Sequence, residues 1–102
     1  PLLVTDPSMT RFHVTLSDVI ALLLAYIPIV TAGQLIIPDM PAYTLETLAY
    51  AFAPGYPIEV IGPRAGGEKC HEKISLYGLT SDRARLLDVS ALREILRKEG
   101  WV

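Results

Sequence analysis

Residues 57–72 read PIEVIGPRAGGEKCHE. The alternating run Pro57-Ile58-Glu59-Val60-Ile61 has the pattern of a short strand, and it delivers the chain into a glycine-rich turn. A strand leading to glycines and a lysine is the outline of a phosphate loop, so its spacing decides which fold the chain can have. Gly62 and Gly67 stand at the interval that signature requires. Glu68, however, occupies the lysine position, and Cys70 follows Lys69 where a magnesium-binding hydroxyl is needed. A carboxylate there would face the nucleotide's own negative charge. The phosphate-loop reading fails.

The residue types still make chemical sense as a binding pair. Arg64 offers a planar, permanently charged fork suited to a diphosphate. Glu68 offers two acceptor oxygens suited to vicinal hydroxyls such as those of a ribose. A glycine turn lets backbone approach a ligand with no Cβ in the way. Pyrophosphate beside ribose is what a nucleoside diphosphate presents. An exposed turn carrying a weak Glu68–arginine ion pair fits the same spacing, and the residues alone leave these two readings level.

Composition narrows the setting. At 102 residues the chain is one small domain or a piece of one, 51% hydrophobic with a formal net charge of −2. Disorder and non-specific nucleic-acid binding are disfavoured. Arg11 is the single basic side chain before Arg64, so an anion site must draw on Arg11, on the Arg64 region, or on both. Cys70 has no intramolecular disulfide partner, and Pro1-Leu2-Leu3-Val4 carries no basic signal-peptide region. A reducing, cytoplasmic setting is expected, and the missing initiator methionine suggests a processed or cut chain. The longest apolar run, Val19–Val30, contains Pro28 and falls short of the roughly 20 residues a membrane span needs.

Outward from the loop, the pattern predicts a small mixed α/β lobe of about three helices and several short strands. Leu2-Leu3-Val4 reads as a strand ending at the turn former Asp6-Pro7, and Phe12–Leu16 as a second. Ser17-Asp18 is expected to cap a helix that runs to about Ile27 and stops before Pro28. Gln34–Pro38 reads as a buried strand. Thr44 opens an amphipathic helix with Leu45, Leu48, Ala49 and Phe52 on one face, ending at Pro54-Gly55. Ser90 is expected to cap a last helix with Leu92, Ile95 and Leu96 inward and Gly100 at its close.

The first of these helices carries no charged residue from Val19 to Ile29, so no solvent face can be drawn on it. A domain this small has little interior in which to surround a helix. Either the chain's own strands cover it or, as the preferred reading, part of it packs on a preceding domain or a partner subunit.

Other chemistries find no support. No Gly-x-Gly-x-x-Gly occurs, and none of the five tyrosines has a lysine four residues on. His13, Cys70, His71 and Glu72 lack metal-ligand spacing, so no metal is expected. No nucleophile with a base partner stands out, and no catalytic residue is assigned.

Three stretches together tip the balance. TDPSMTRFHVTL at 5–16, GQLIIPDMPAYTLETLAYAFAPG at 33–55 and IEVIGPRAGGEKCHE at 58–72 resemble the closing portion of UDP-N-acetylglucosamine 4,6-dehydratases. These are extended short-chain dehydrogenase/reductases of polysaccharide and glycan biosynthesis. The tail TSDRARLLDVSALREIL is similar to that family's ending too.

The resemblance implies that residues 1–102 form the C-terminal sugar-nucleotide-binding lobe of an extended Rossmann-type enzyme. The N-terminal NADP-binding Rossmann domain, which carries the Tyr-x-x-x-Lys catalysis, would be absent from this chain. By motif match Arg11 and Arg64 would contact the UDP diphosphate and Glu68 the ribose hydroxyls, the same three residues that charge and geometry single out. This chain alone would bind no cofactor and complete no reaction. Its partners would be a UDP-sugar and the missing domain or a partner subunit, with homo-oligomerisation a further expectation. The rival expectation is a truncated, non-enzymatic interaction domain that pairs through its apolar first helix. Two departures mark this sequence. Its loop runs Arg64-Ala65-Gly66-Gly67-Glu68, one residue longer than the family's Arg-Pro-Gly-Glu, and His13 stands where an aromatic is common.

Overall fold

The computed structural model describes residues 1–35, 37, 39–62, 67, 69–73 and 80–102. Among them the chain forms β1 (Leu2–Val4), β2 (Thr10–Phe12), α1 (Leu16–Tyr26), β3 (Ala42–Thr44), α2 (Leu45–Phe52), β4 (Ile58–Val60) and α3 (Val89–Glu99). This is the small mixed α/β arrangement that the patterning predicts.

Two strand pairs organise it. β1 lies parallel to β4, with Leu3 opposite Glu59. β2 lies antiparallel to β3, with Arg11 opposite Tyr43. On its other side β3 meets the segment before α3, where the Ala42 amide donates to the Arg85 carbonyl at 2.9 Å and the Leu87 amide to the Ala42 carbonyl at 2.8 Å. Ala42 is fully buried as a result. The core proper is the seam between α2 and α3, where Ala51, Leu87, Leu92 and Leu96 cluster under Tyr43, Leu48 and Ile95. Arg93 reaches from α3 to the Ala51 carbonyl at 2.6 Å, satisfying an orphan carbonyl at the end of α2.

Several boundaries differ from the expected ones, each for a local reason. The strand expected over Phe12–Leu16 is instead Thr10–Phe12, because Thr15 serves as the cap of α1. Its hydroxyl accepts from the Asp18 amide at 3.0 Å while the Asp18 carboxylate accepts from the Thr15 amide, a complete capping box. Ser17 and Asp18 lie inside the helix they were expected to open. Likewise Asp88 rather than Ser90 caps α3, its carboxylate accepting from the Ala91 amide at 2.7 Å. The strand expected over 34–38 lies partly outside the described residues at Ile36 and Pro38. Gln34 closes a turn on Thr31, and neither it, Leu35 nor Ile37 takes strand pairing.

No residue of α1 is buried. Leu16 is 75% exposed, Leu23 54% and Leu24 70%. Helices of soluble domains bury one apolar stripe. Among the described residues the chain's own strands do not bury the helix, which counts against the first of the two readings given above. Among the described residues no helix is long and apolar enough to cross a membrane.

Candidate functional site

The glycine loop is anchored at both ends on consecutive strands. At its entry the Ile61 amide donates to the Val4 carbonyl at 2.9 Å, extending the β1–β4 pairing by one step. Gly62 then turns the chain at φ +81°, a left-handed conformation that L side chains rarely adopt. At its exit the chain comes against β2, where the Thr10 amide donates to the Cys70 carbonyl at 2.9 Å. β1 and β2 are joined by the Asp6-Pro7 turn. The two ends of the loop therefore rest on strands that are adjacent in sequence but belong to separate sheets.

Arg11 sits at that exit. Its Nη2 donates to the Lys69 carbonyl at 2.7 Å, and its Nη1 to the carbonyls of Cys70 at 3.2 Å and of Thr10 at 2.7 Å. The Glu72 carboxylate lies 3.6 Å from Nε. The guanidinium is thus the brace of the loop's C-terminal end, its charge partly countered by Glu72 and its side chain still 20% exposed. Of the three expected binding residues, Arg11 therefore lies at the exit of the glycine loop. Arg64 and Glu68, the other two expected binding residues, lie outside the described residues.

Sequence reasoning missed the polar knot beneath Arg11. Thr10 and Ser81 are both buried, at 3% and 0% exposure. The Thr10 hydroxyl lies 2.6 Å from the Ser81 hydroxyl and 2.6 Å from His71 Nδ1. Ser81 Oγ also accepts from the Glu72 amide at 2.8 Å and reaches the Thr10 carbonyl at 3.2 Å, while the Ser81 amide donates to the Glu72 carbonyl at 2.9 Å. Buried hydroxyls need partners, and these supply one another's. An isolated threonine and serine far apart in the chain give no motif by which to find them.

Two carboxylates nearby are held below the usual aspartate range. Asp6 is lowered chiefly by the hydrogen bond from the Ser8 hydroxyl, then by the Ser8 amide. Asp82 is lowered chiefly by its hydrogen bond with Thr80. Burial pushes the Tyr43 phenol up, with the Glu72 charge adding to the effect and Arg11 opposing it. At the far end of β2, His13 Nε2 lies 3.4 Å from Glu99 Oε1, close enough for attraction but not aligned as a hydrogen bond.

A cleft of about 500 Å³ lies elsewhere, between β1 and the helices, and is lined by apolar side chains such as Leu3, Leu45, Phe52 and Trp101. It offers no cation, so a polyanion would lose its hydration there without compensation. The described residues place the Arg11 guanidinium at the exit of the glycine loop, apart from this cleft. Among the described residues no group of His, Cys, Asp and Glu is placed to hold a metal.

A family model described as polysaccharide biosynthesis protein matches residues 1–91. Over 69 residues the chain is 39% identical to a UDP-N-acetylglucosamine 4,6-dehydratase (inverting) of Campylobacter jejuni subsp. jejuni serotype O:23/36, and equally to one of serotype O:2. The matched stretch takes in 68% of this chain and 20% of each relative. The chain therefore spans about a fifth of the length of those relatives.

Proposed function

The chain belongs to the polysaccharide biosynthesis protein family, and from that premise we propose that it is the UDP-sugar-binding lobe of an NADP-dependent UDP-N-acetylglucosamine 4,6-dehydratase-like enzyme of the extended short-chain dehydrogenase/reductase type, working in the cytoplasm. The observation that carries this reading is Arg11 bracing the exit of the glycine loop at Lys69 and Cys70. In it Arg11 and Arg64 hold the diphosphate and Glu68 the ribose hydroxyls. A diphosphate oxygen is a stronger acceptor than a peptide carbonyl, because the bond is charge-assisted. A ligand entering the loop would thus compete for the Nη donors that Lys69 and Cys70 hold.

The sequence has no Gly-x-Gly-x-x-Gly, so in this reading the cofactor is bound outside this chain. NADP and the hydride chemistry would reside in a Rossmann domain within the remaining length of the relatives, and no step of that chemistry is assigned to residues here. The partner expected on α1 is that domain or another subunit.

Calorimetric titration with UDP-N-acetylglucosamine, run on this chain and on the chain joined to such a domain, tests the reading. The joined protein binding the ligand more tightly than this chain alone is the expected result; no binding by the joined protein would refute it.

A second reading, a non-enzymatic domain that pairs through α1, draws on the helix having no buried residue. A folded dimer by light scattering that ignores UDP would favour it over the first.

A further inference from the structure

Four successive residues after the loop, Lys69 to Glu72, are each tied down, and every tie leads to Thr10, Arg11 or Ser81. Lys69 and Cys70 are held through their carbonyls by Arg11, and Cys70 also by the Thr10 amide. His71 is held through Nδ1 by the Thr10 hydroxyl. Glu72 is held through both backbone groups by Ser81. Arg11 alone could swing toward a ligand and take the loop's exit with it. The two buried hydroxyls prevent this, because neither can leave its place without stranding a buried polar group.

We propose that Thr10 and Ser81 are positioning residues for the anion site: a buried hydroxyl clasp that fixes residues 70–72 beside Arg11, and so the exit of the glycine loop. This rests on the UDP-binding reading above and names the part of the fold that sets its geometry. The chemistry recognised is a nucleoside diphosphate, and neither hydroxyl touches it. The clasp tolerates either tautomer of His71. With the proton on Nδ1 the ring donates to Thr10, which donates to Ser81, which donates to the Thr10 carbonyl. With it on Nε2, Ser81 donates to Thr10 and Thr10 to the ring. Every buried group is satisfied in both directions.

The test uses the chain joined to the remaining length of its relatives, with UDP as the probe. Thr10→Val keeps the shape and removes the hydroxyl, and Thr10→Ser restores the hydroxyl. UDP affinity should fall about tenfold in Thr10→Val and return to within about twofold of wild type in Thr10→Ser. Should Thr10→Val not fold, Ser81→Ala, which frees the Glu72 amide, takes its place with the same expected loss. Hydrogen exchange at the Glu72 amide, and the ¹⁵N shifts of the His71 ring, should change in the deficient variant and not in Thr10→Ser. Wild-type affinity in the deficient variant, or an equal loss in Thr10→Ser, overturns the proposal. So does a wild-type protein that ignores UDP. In that case the binding reading has failed, and the Glu72 exchange rate still reports on the clasp itself: altered in the deficient variant, the clasp holds residues 70–72 without serving a UDP site; unaltered, the clasp fails too.

Discussion

Arg11, in the second strand, holds the carbonyl of Lys69 at 2.7 Å across 58 residues of chain. The contact joins the one basic side chain of the first half to the exit of the glycine loop. Arg11→Lys keeps the charge and loses the planar fork that spans Lys69, Cys70 and Thr10. It should lower stability by about 1–2 kcal/mol in urea denaturation and weaken UDP binding as well. An unchanged denaturation midpoint would show that the brace contributes nothing.

Gly62 begins the loop at φ +81°, with nothing within 4 Å of where a Cβ would stand. The cost of Gly62→Ala is therefore one of backbone conformation and not of collision. It should come to about 1–2 kcal/mol. Thermal unfolding of the variant at the wild-type midpoint would mean that the loop re-forms around a different φ.

Leu92 is fully buried at the seam of α2 and α3. Leu92→Ala should cost about 2–5 kcal/mol, enough to consume a large part of a small domain's stability. Circular dichroism melts read this directly. A loss under 1 kcal/mol would place the core elsewhere.

Much of this architecture was legible in the residues. Leu2–Val4, the helix after Thr44 and the strand before Ile61 follow from period, caps and breakers, and all three stand close to where those signals put them. The uncharged run from Val19 also announced its lack of a solvent face. What escaped was non-local. β3 is three residues of Ala-Tyr-Thr, too short and too mixed to read as a strand, and it exists because Ala42 is paired on both sides, by Phe12 and by residues 85–87. The caps at Thr15 and Asp88 were displaced by two neighbouring candidates of equal propensity, between which local sequence cannot choose. Of the site, Arg11 could be found by its isolation in charge. Thr10 and Ser81 could not, since their role comes from a contact between residues 71 apart in the chain.

Asp6 accepts from the Ser8 amide at 2.9 Å and from its hydroxyl at 2.7 Å, in the turn that joins the two strands anchoring the loop. Its folded-state pKa is depressed from the ordinary 3.8. The stability this contributes is present above pH 3.8 and is lost as pH falls from there through the folded value. Asp6→Asn should flatten that part of the acid limb of the stability–pH curve. An acid limb identical to wild type would show the shift to be without thermodynamic effect.

Leu24 on α1 and Ile27 at its C-cap are 70% and 66% exposed. Replacing both with lysine should change the stability of this chain by no more than about 0.5 kcal/mol, since neither is packed. Self-association by light scattering should fall. Unfolding on substitution would mean that the chain itself covers the helix.

The central claim is that Arg11 and Arg64 together grip a nucleotide's diphosphate, and a UDP titration of Arg64→Ala beside wild type, in the chain joined to the Rossmann domain proposed above, tests it most directly. The account predicts a loss of about 2–3 kcal/mol in binding free energy with the fold intact. Equal affinity in the two proteins would contradict it.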